Sequence, residues 1–293
     1  MPSTCRRTLA VFVAAGALVT LGGLTRSNMV GDDSLARLER SGVVRIGYAV
    51  VPPYAFVAPG AVVTGESPEV ARVIARRLGI SRVDWVQTEF GSLIDGLEAH
   101  RFDVIAAGMF ITPERAARVR FSDPSFHATD GLLVPRGNPR ELHAHADAIS
   151  AADVRLVVLA GSTEEHLLRS LGMPDHRLLT APDALAARRA VETGTADGLP
   201  LSTPAIHWMM RHDRLGATEI AQPFRESELR LTSRLGYGAF AFRQADGRLR
   251  DAWNAQLRRF VGSAEHRVLV EPFGIADDSL PGGITVEEIL RQP

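Results

Sequence analysis

The chain has 293 residues, 45% of them hydrophobic, and a formal net charge of −1. That length supports two modest domains with cores of their own, and the near-neutral balance of charge gives no electrostatic case for nucleic-acid binding, which usually needs a basic face. All 33 basic residues are arginine, which excludes Schiff-base and P-loop lysines from the chemistry.

At the N-terminus Arg6 and Arg7 precede an apolar run from Leu9 to Leu24, followed by small polar residues. This is the layout of a secretory signal peptide, and the run is short for a membrane span, which takes about 20 apolar residues. The arginine pair resembles a twin-arginine signal, and an uncleaved anchor is the alternative. Cys5, the only cysteine, lies before the run, so it is not placed to carry a lipoprotein's lipid, and the exported chain would have no disulfide. Residues 1–40 are therefore read as signal peptide and linker, with a periplasmic or other extracytoplasmic destination.

Strands and helices then alternate. "VVRIGYAV" reads as a strand buried on both faces. "SPEVARVIARRLG" reads as a helix with Ser67 as N-cap and Pro68 at the first position. "RVDWVQTEF" is predicted as a strand ending at Phe90, "SLIDGLEAHR" as a helix, "DVIAAGM" as a buried strand and "TPERAARV" as a helix. The rhythm returns in "VRLVVLA", "STEEHLLRSLG", "DALAARRAVETG" and "ADGLPLS". The class is α/β with mostly parallel sheets.

"GLLVPRGN" and "GYGAFAFR" read as two crossings between domains, and the amphipathic "DGRLRDAWNAQLRRFVG" is expected to pack back on the first. The predicted architecture is two lobes joined by two strand crossings that form a hinge. Lobe 1 takes residues 41–133 and 239–293, and lobe 2 takes 134–238. Ligands in such sheets bind at the carboxyl ends of strands.

"VRIGYAVVPPYAF", "TGESPEVARVIARRLGI", "LIDGLEAHRFDVIAAGMFITPERAARVRFSDP" and "LVPRGNP" resemble the extracytoplasmic solute-binding proteins of amino-acid-type ABC importers, solute-binding protein family 3. The likeness runs from about residue 41 to 262, and "FDVIAAGMFITPERA" is its most specific part. "TEFGSLI", "AAGMFITPER" and "VLAGS" place it closest to the ectoine- and hydroxyectoine-binding receptors. The resemblance implies the type II periplasmic-binding-protein fold and a small zwitterionic ligand. It also implies an ABC permease as partner, a monomer, no cofactor and no metal.

Thr112, Pro113 and Glu114 make a helix start, as N-cap, first-turn proline and acid. Arg115 beside it is placed to offer a fork to a carboxylate, the role the resemblance implies. Gly161, Ser162 and Thr163 open a helix at a strand end and read as an N-cap or an opposing anion site. The resemblance implies that this second-lobe start meets the same carboxylate. Tyr54, Phe56, Phe90 and Phe110 read as core or as aromatic contacts. Tyr54, Phe90 and Phe110 fall at strand ends on one side of the sheet and suit a delocalised cation, and Gly108 is taken as a further ligand-binding residue.

Two departures from amino-acid receptors agree with that cation. Phe110 stands where a small hydroxyl residue is common, and Ser202 stands where an acid would hold an α-ammonium. One departure runs the other way: Val51 replaces the glutamate implied for ectoine-type receptors, which leaves Glu66 and Glu89 as acids that could turn inward. A polar amino acid or a betaine is the alternative ligand. A dehydratase on the same fold is a further alternative and would need a general acid in the cleft. A ligand-sensing input domain is a third class, with no signalling module expected after residue 293. His143 and His145 read as a polar loop rather than a metal site.

Overall fold

The computed structural model describes residues 32–212, 216–225 and 236–292. The expected signal peptide lies outside the described residues, among which no helix is long and apolar enough to cross a membrane. The expected linker ends earlier than residue 40, because helix α1 (Ser34–Ser41) already occupies that stretch. Leu38 of α1 is buried, and Gly42 at φ +65° closes the helix in the left-handed region open to glycine.

Strand β1 (Val43–Tyr48) is followed by the hairpin of β2 (Phe56–Ala58) and β3 (Val62–Thr64), then helix α2 (Glu66–Arg77). Strand β4 (Arg82–Gln87), helix α3 (Leu93–Glu98) and strand β5 (Val104–Phe110) come next. One turn of helix, α4 (Pro113–Ala116), leads to β6 (Val119–Phe121) and β7 (Phe126–His127). The second lobe runs through β8 (Asp130–Pro135), α5 (His145–Ser150), β9 (Leu156–Leu159), α6 (Thr163–Ser170) and β10 (Leu178–Ala181). It continues through α7 (Ala184–Glu192), β11 (Leu199–Ser202), α8 (Thr203–Arg211) and β12 (Thr218–Ile220). The chain then returns as β13 (Tyr237–Arg243), with α9 (Gly247–Phe260), α10 (Ala264–Val270) and α11 (Val286–Arg291) after it.

The first-lobe sheet has the order β4-β1-β5-β13-β6, with β7 also on β13. β1 pairs parallel with β4 and β5, whereas β13 pairs antiparallel with β5, β6 and β7. In the second lobe β9 and β10 are parallel, but β11-β8-β12 is antiparallel throughout. The expectation of mostly parallel sheets therefore fails. β13 is an apolar run buried on both faces, like a central parallel strand, and hydrophobic pattern carries no strand direction. The lobe boundaries expected at 133/134 and 238/239 fall inside β8 and β13. Just before those strands the two passages lie side by side, with the Ala128 N–H donating to the Gly236 carbonyl at 2.6 Å.

Helix α9 packs on the first-lobe sheet as its spacing predicts. It buries Leu249, Trp253, Leu257 and Phe260, and the Trp253 ring lies 5.3 Å from Phe240 and 5.7 Å from Phe242. Each such buried side chain is worth about 1.5–3 kcal/mol. At the start of β5, buried Asp103 accepts from Arg37, Arg45 and Arg243 at 3.1, 3.0 and 3.2 Å, tying α1, β1 and β13 together.

Helix α2 begins two residues earlier than its sequence suggests. Gly65 is the N-cap, and Ser67 lies in the first turn. Gly65 sits at φ +124°, and a Cβ there would come within 2.6 Å of the Tyr54 carbonyl oxygen. A glycine is needed to let the two segments approach this closely. The Ser67 hydroxyl, freed from capping, donates to Glu66 at 2.7 Å and accepts from the Gly108 N–H at 3.1 Å.

Candidate functional site

Eight residues singled out in the sequence line one cavity between the lobes: Tyr54, Phe90, Gly108, Phe110 and Arg115 from the first, Ser162, Thr163 and Ser202 from the second. Leu159, Glu164 and Leu201 complete it. Its volume is only ≈ 30 Å³, room for one or two waters, so a ring-sized ligand enters only when the lobes part.

The lobes meet through backbone. A Cβ on Gly161 would lie 2.8 Å from the Gly91 Cα, and one on Gly91 would lie 2.9 Å from the Ala160 carbonyl oxygen. Only glycine at both positions permits that approach.

Tyr54 lies in the loop after β1, buried, with its ring stacked on Phe126 at 4.5 Å and 14°. Gly108, at φ +63°, leaves room for this ring, since a Cβ there would fall 2.5 Å from the Tyr54 Cγ. The Tyr54 and Ser202 hydroxyls share a buried hydrogen bond of 2.8 Å across the cleft. Burial raises the Tyr54 pKa, so the phenol stays neutral. Phe90 opens a single 3₁₀ turn, because β4 stops at Gln87. Phe110 ends β5, with its ring 6.2 Å from Phe126.

Arg115 is positioned by the helix start that its sequence announces. Its N–H donates to the Thr112 hydroxyl at 3.2 Å, which fixes the single turn of α4. Its guanidinium donates to the Phe110 carbonyl at 2.8 Å and, across the cleft, to the Gly161 carbonyl at 3.0 Å. The Phe90 ring lies beneath it, 5.5 Å from Cζ to centroid. Burial lowers its pKa to about 10, so the charge persists at neutral pH. Among the described residues no carboxylate comes within the 4.0 Å ion-pair distance of it.

The second-lobe helix start differs from its sequence reading. The Gly161 N–H donates to the Glu165 carboxylate at 2.6 Å, and the Ser162 hydroxyl accepts from the Glu165 N–H at 3.1 Å as an N-cap. The Thr163 hydroxyl donates to Glu164 at 3.1 Å. The groups expected to face an anion are thus engaged by two acids of their own helix. Glu164, which the sequence analysis did not single out, is buried against the cavity, and burial raises its pKa. Arg115 partly offsets that rise.

The remaining candidates lie elsewhere. Phe56 packs on Trp208 at 5.1 Å and on Phe273 at 6.3 Å. Val51 is buried and bridged to Ala55, Glu89 is exposed, and Glu66 is buried outside the cavity lining. His145 is the buried first residue of helix α5 rather than part of a polar loop, with its ring 5.3 Å from Phe224 and its pKa lowered to about 4 by burial. Among the described residues no His, Cys, Asp and Glu cluster could hold a metal.

Two α/β lobes, paired crossings and a polar-aromatic cleft between them define a type II periplasmic-binding-protein receptor. Residues 44–274 match the bacterial extracellular solute-binding proteins, family 3, and the chain belongs to that family. It is 31% identical over 279 residues to the probable amino-acid ABC transporter periplasmic-binding protein y4tE of Sinorhizobium fredii, covering 93% of this chain and 91% of that one. The structure of EhuB in complex with hydroxyectoine superposes with a TM-score of 0.81 at 29% identity, covering 89% of this chain and 99% of that one. The ancestral amino-acid-binding protein AncCDT-1, a precursor of cyclohexadienyl dehydratase, follows with a TM-score of 0.71 at 25% identity, covering 82% and 99%. The chain is thus an extracytoplasmic solute-binding receptor of the amino-acid ABC-importer class, which binds a small ligand and serves membrane permease components.

Proposed function

We propose that this receptor binds ectoine or hydroxyectoine between its lobes and delivers it to an ABC permease. The observation that carries the reading is Arg115: a charged guanidinium deep in the cleft, tied to carbonyls of both lobes but with no carboxylate of the described residues within ion-pair distance. A ligand carboxylate would complete its shell at about 1.5–3 kcal/mol. Around it Tyr54, Phe90 and Phe110 offer aromatic surface to a soft cationic ring. The resemblance to EhuB supports the same ligand class.

A thermal-shift panel tests this. Ligand at 100 times its Kd stabilises the folded state by about 2.7 kcal/mol. Ectoine and hydroxyectoine should therefore raise the melting temperature clearly, above glycine betaine and the polar amino acids. Stabilisation by arginine or glutamine alone would reassign the ligand.

A dehydratase reading has one observation in its favour. Glu164 is a buried carboxyl with a raised pKa in the cleft, a form suited to general acid work. Product formation from arogenate or prephenate would establish it.

A further inference from the structure

We infer that Glu164 is the anionic partner of the ligand's cationic end, so that Arg115 and Glu164 form an ion pair split by the ligand. The inference rests on the receptor reading above and adds the residue that selects for positive charge.

Both residues line the same small cavity, one from each lobe, and they do not come into ion-pair contact. Two opposite charges held apart in a closed cleft match a zwitterion laid between them, with its carboxylate on Arg115 and its cation on Glu164. The positions where an acid was expected do not supply one. Val51 is apolar, Ser202 is bonded to Tyr54, Glu89 is exposed and Glu66 lies outside the cavity lining. Among the described residues, Glu164 is left as the acid that lines the cavity. The Thr163 hydroxyl, donating to Oε2 at 3.1 Å, orients the carboxylate. An acid buried here without a cation is disfavoured, and a bound cation would relieve that cost.

Calorimetry on the full-length protein and the Glu164→Gln and Glu164→Asp variants tests the assignment. The probes are ectoine, glycine betaine, proline, glutamine and arginine, with cyclohexanecarboxylate as an anion that carries no cation. For whichever zwitterion the unmodified protein binds, Glu164→Gln should weaken binding about 10–100-fold. It should leave cyclohexanecarboxylate binding unchanged or tighter, and Glu164→Asp should recover part of the zwitterion affinity. Equal losses for zwitterion and plain carboxylate, or unchanged zwitterion affinity, would overturn the inference. So would a failure of every zwitterion to bind the unmodified protein. Turnover of prephenate or arogenate that Glu164→Gln abolishes would make Glu164 a catalytic acid instead. If ectoine fails but another zwitterion binds and shows this pattern, the ligand assignment falls while the role of Glu164 stands.

Discussion

The hydroxyls of Tyr54 and Ser202 lie 2.8 Å apart and join the two lobes through a buried bond between residues 148 positions apart in the chain. Tyr54→Phe keeps the stack on Phe126 but leaves the Ser202 hydroxyl without this partner. The closed form should lose about 1–2 kcal/mol, seen as several-fold weaker ligand binding by calorimetry. Small-angle scattering should show a larger radius of gyration without ligand.

Gly91→Ala tests closure at a different point. The residue has no positive φ, so an alanine strains nothing in the open form, yet its Cβ would stand 2.9 Å from the Ala160 carbonyl oxygen on closing. Ligand affinity should fall at least about tenfold, with the melting temperature of the ligand-free protein little changed. Gly161→Ala should be worse on both counts, because φ +73° adds backbone strain.

Sequence pattern reached much of this site because its signals are local. Thr112-Pro113-Glu114 is a complete helix start, and the structure confirms the cap and sets Arg115 beside the cleft. Aromatic residues at strand ends could likewise be placed on one side of the sheet. What escaped the sequence depends on distant chain segments. Ser67 looks like an N-cap until Gly65, pressed on the Tyr54 backbone, takes that place. Glu164 looks like any first-turn acid until the fold buries it in the lining of the cavity. The direction of β13 is set by its return from the second lobe, which no periodicity records.

Glu66 gives the protein a pH signature. Burial pushes its carboxyl up to about 7 from 4.5, and its Oε1 has no hydrogen-bond partner, as suits a neutral acid. A carboxyl whose folded-state pKa lies above its unfolded value binds more protons when folded between the two. Stability therefore declines as pH rises from about 4.5 to 7 and is level above that. The decline from this group should be on the order of 3 kcal/mol, and Glu66→Gln should remove it in denaturant titrations across that window.

Asp103 acts in the opposite sense. Although its burial works against ionisation, hydrogen bonds and charge from Arg45, with Arg37 behind, hold its pKa down to about 2 from 3.8. The resulting stability is present above the unfolded value and is lost as pH falls from about 4 to 2. Asp103→Asn leaves Arg37, Arg45 and Arg243 without their shared counter-charge. It should cost about 2–4 kcal/mol by urea unfolding, below the full buried-pair range because Arg37 and Arg45 are 42% and 40% exposed.

The central claim is that the cleft recognises a carboxylate-bearing soft cation through Arg115. Titration calorimetry of the protein and its Arg115→Ala variant with ectoine tests this most directly. Saturable one-to-one binding to the unmodified protein is expected, with no detectable heat for Arg115→Ala. Tight binding of ectoine that survives Arg115→Ala, or tight binding of arginine or glutamine with no response to ectoine, would contradict it.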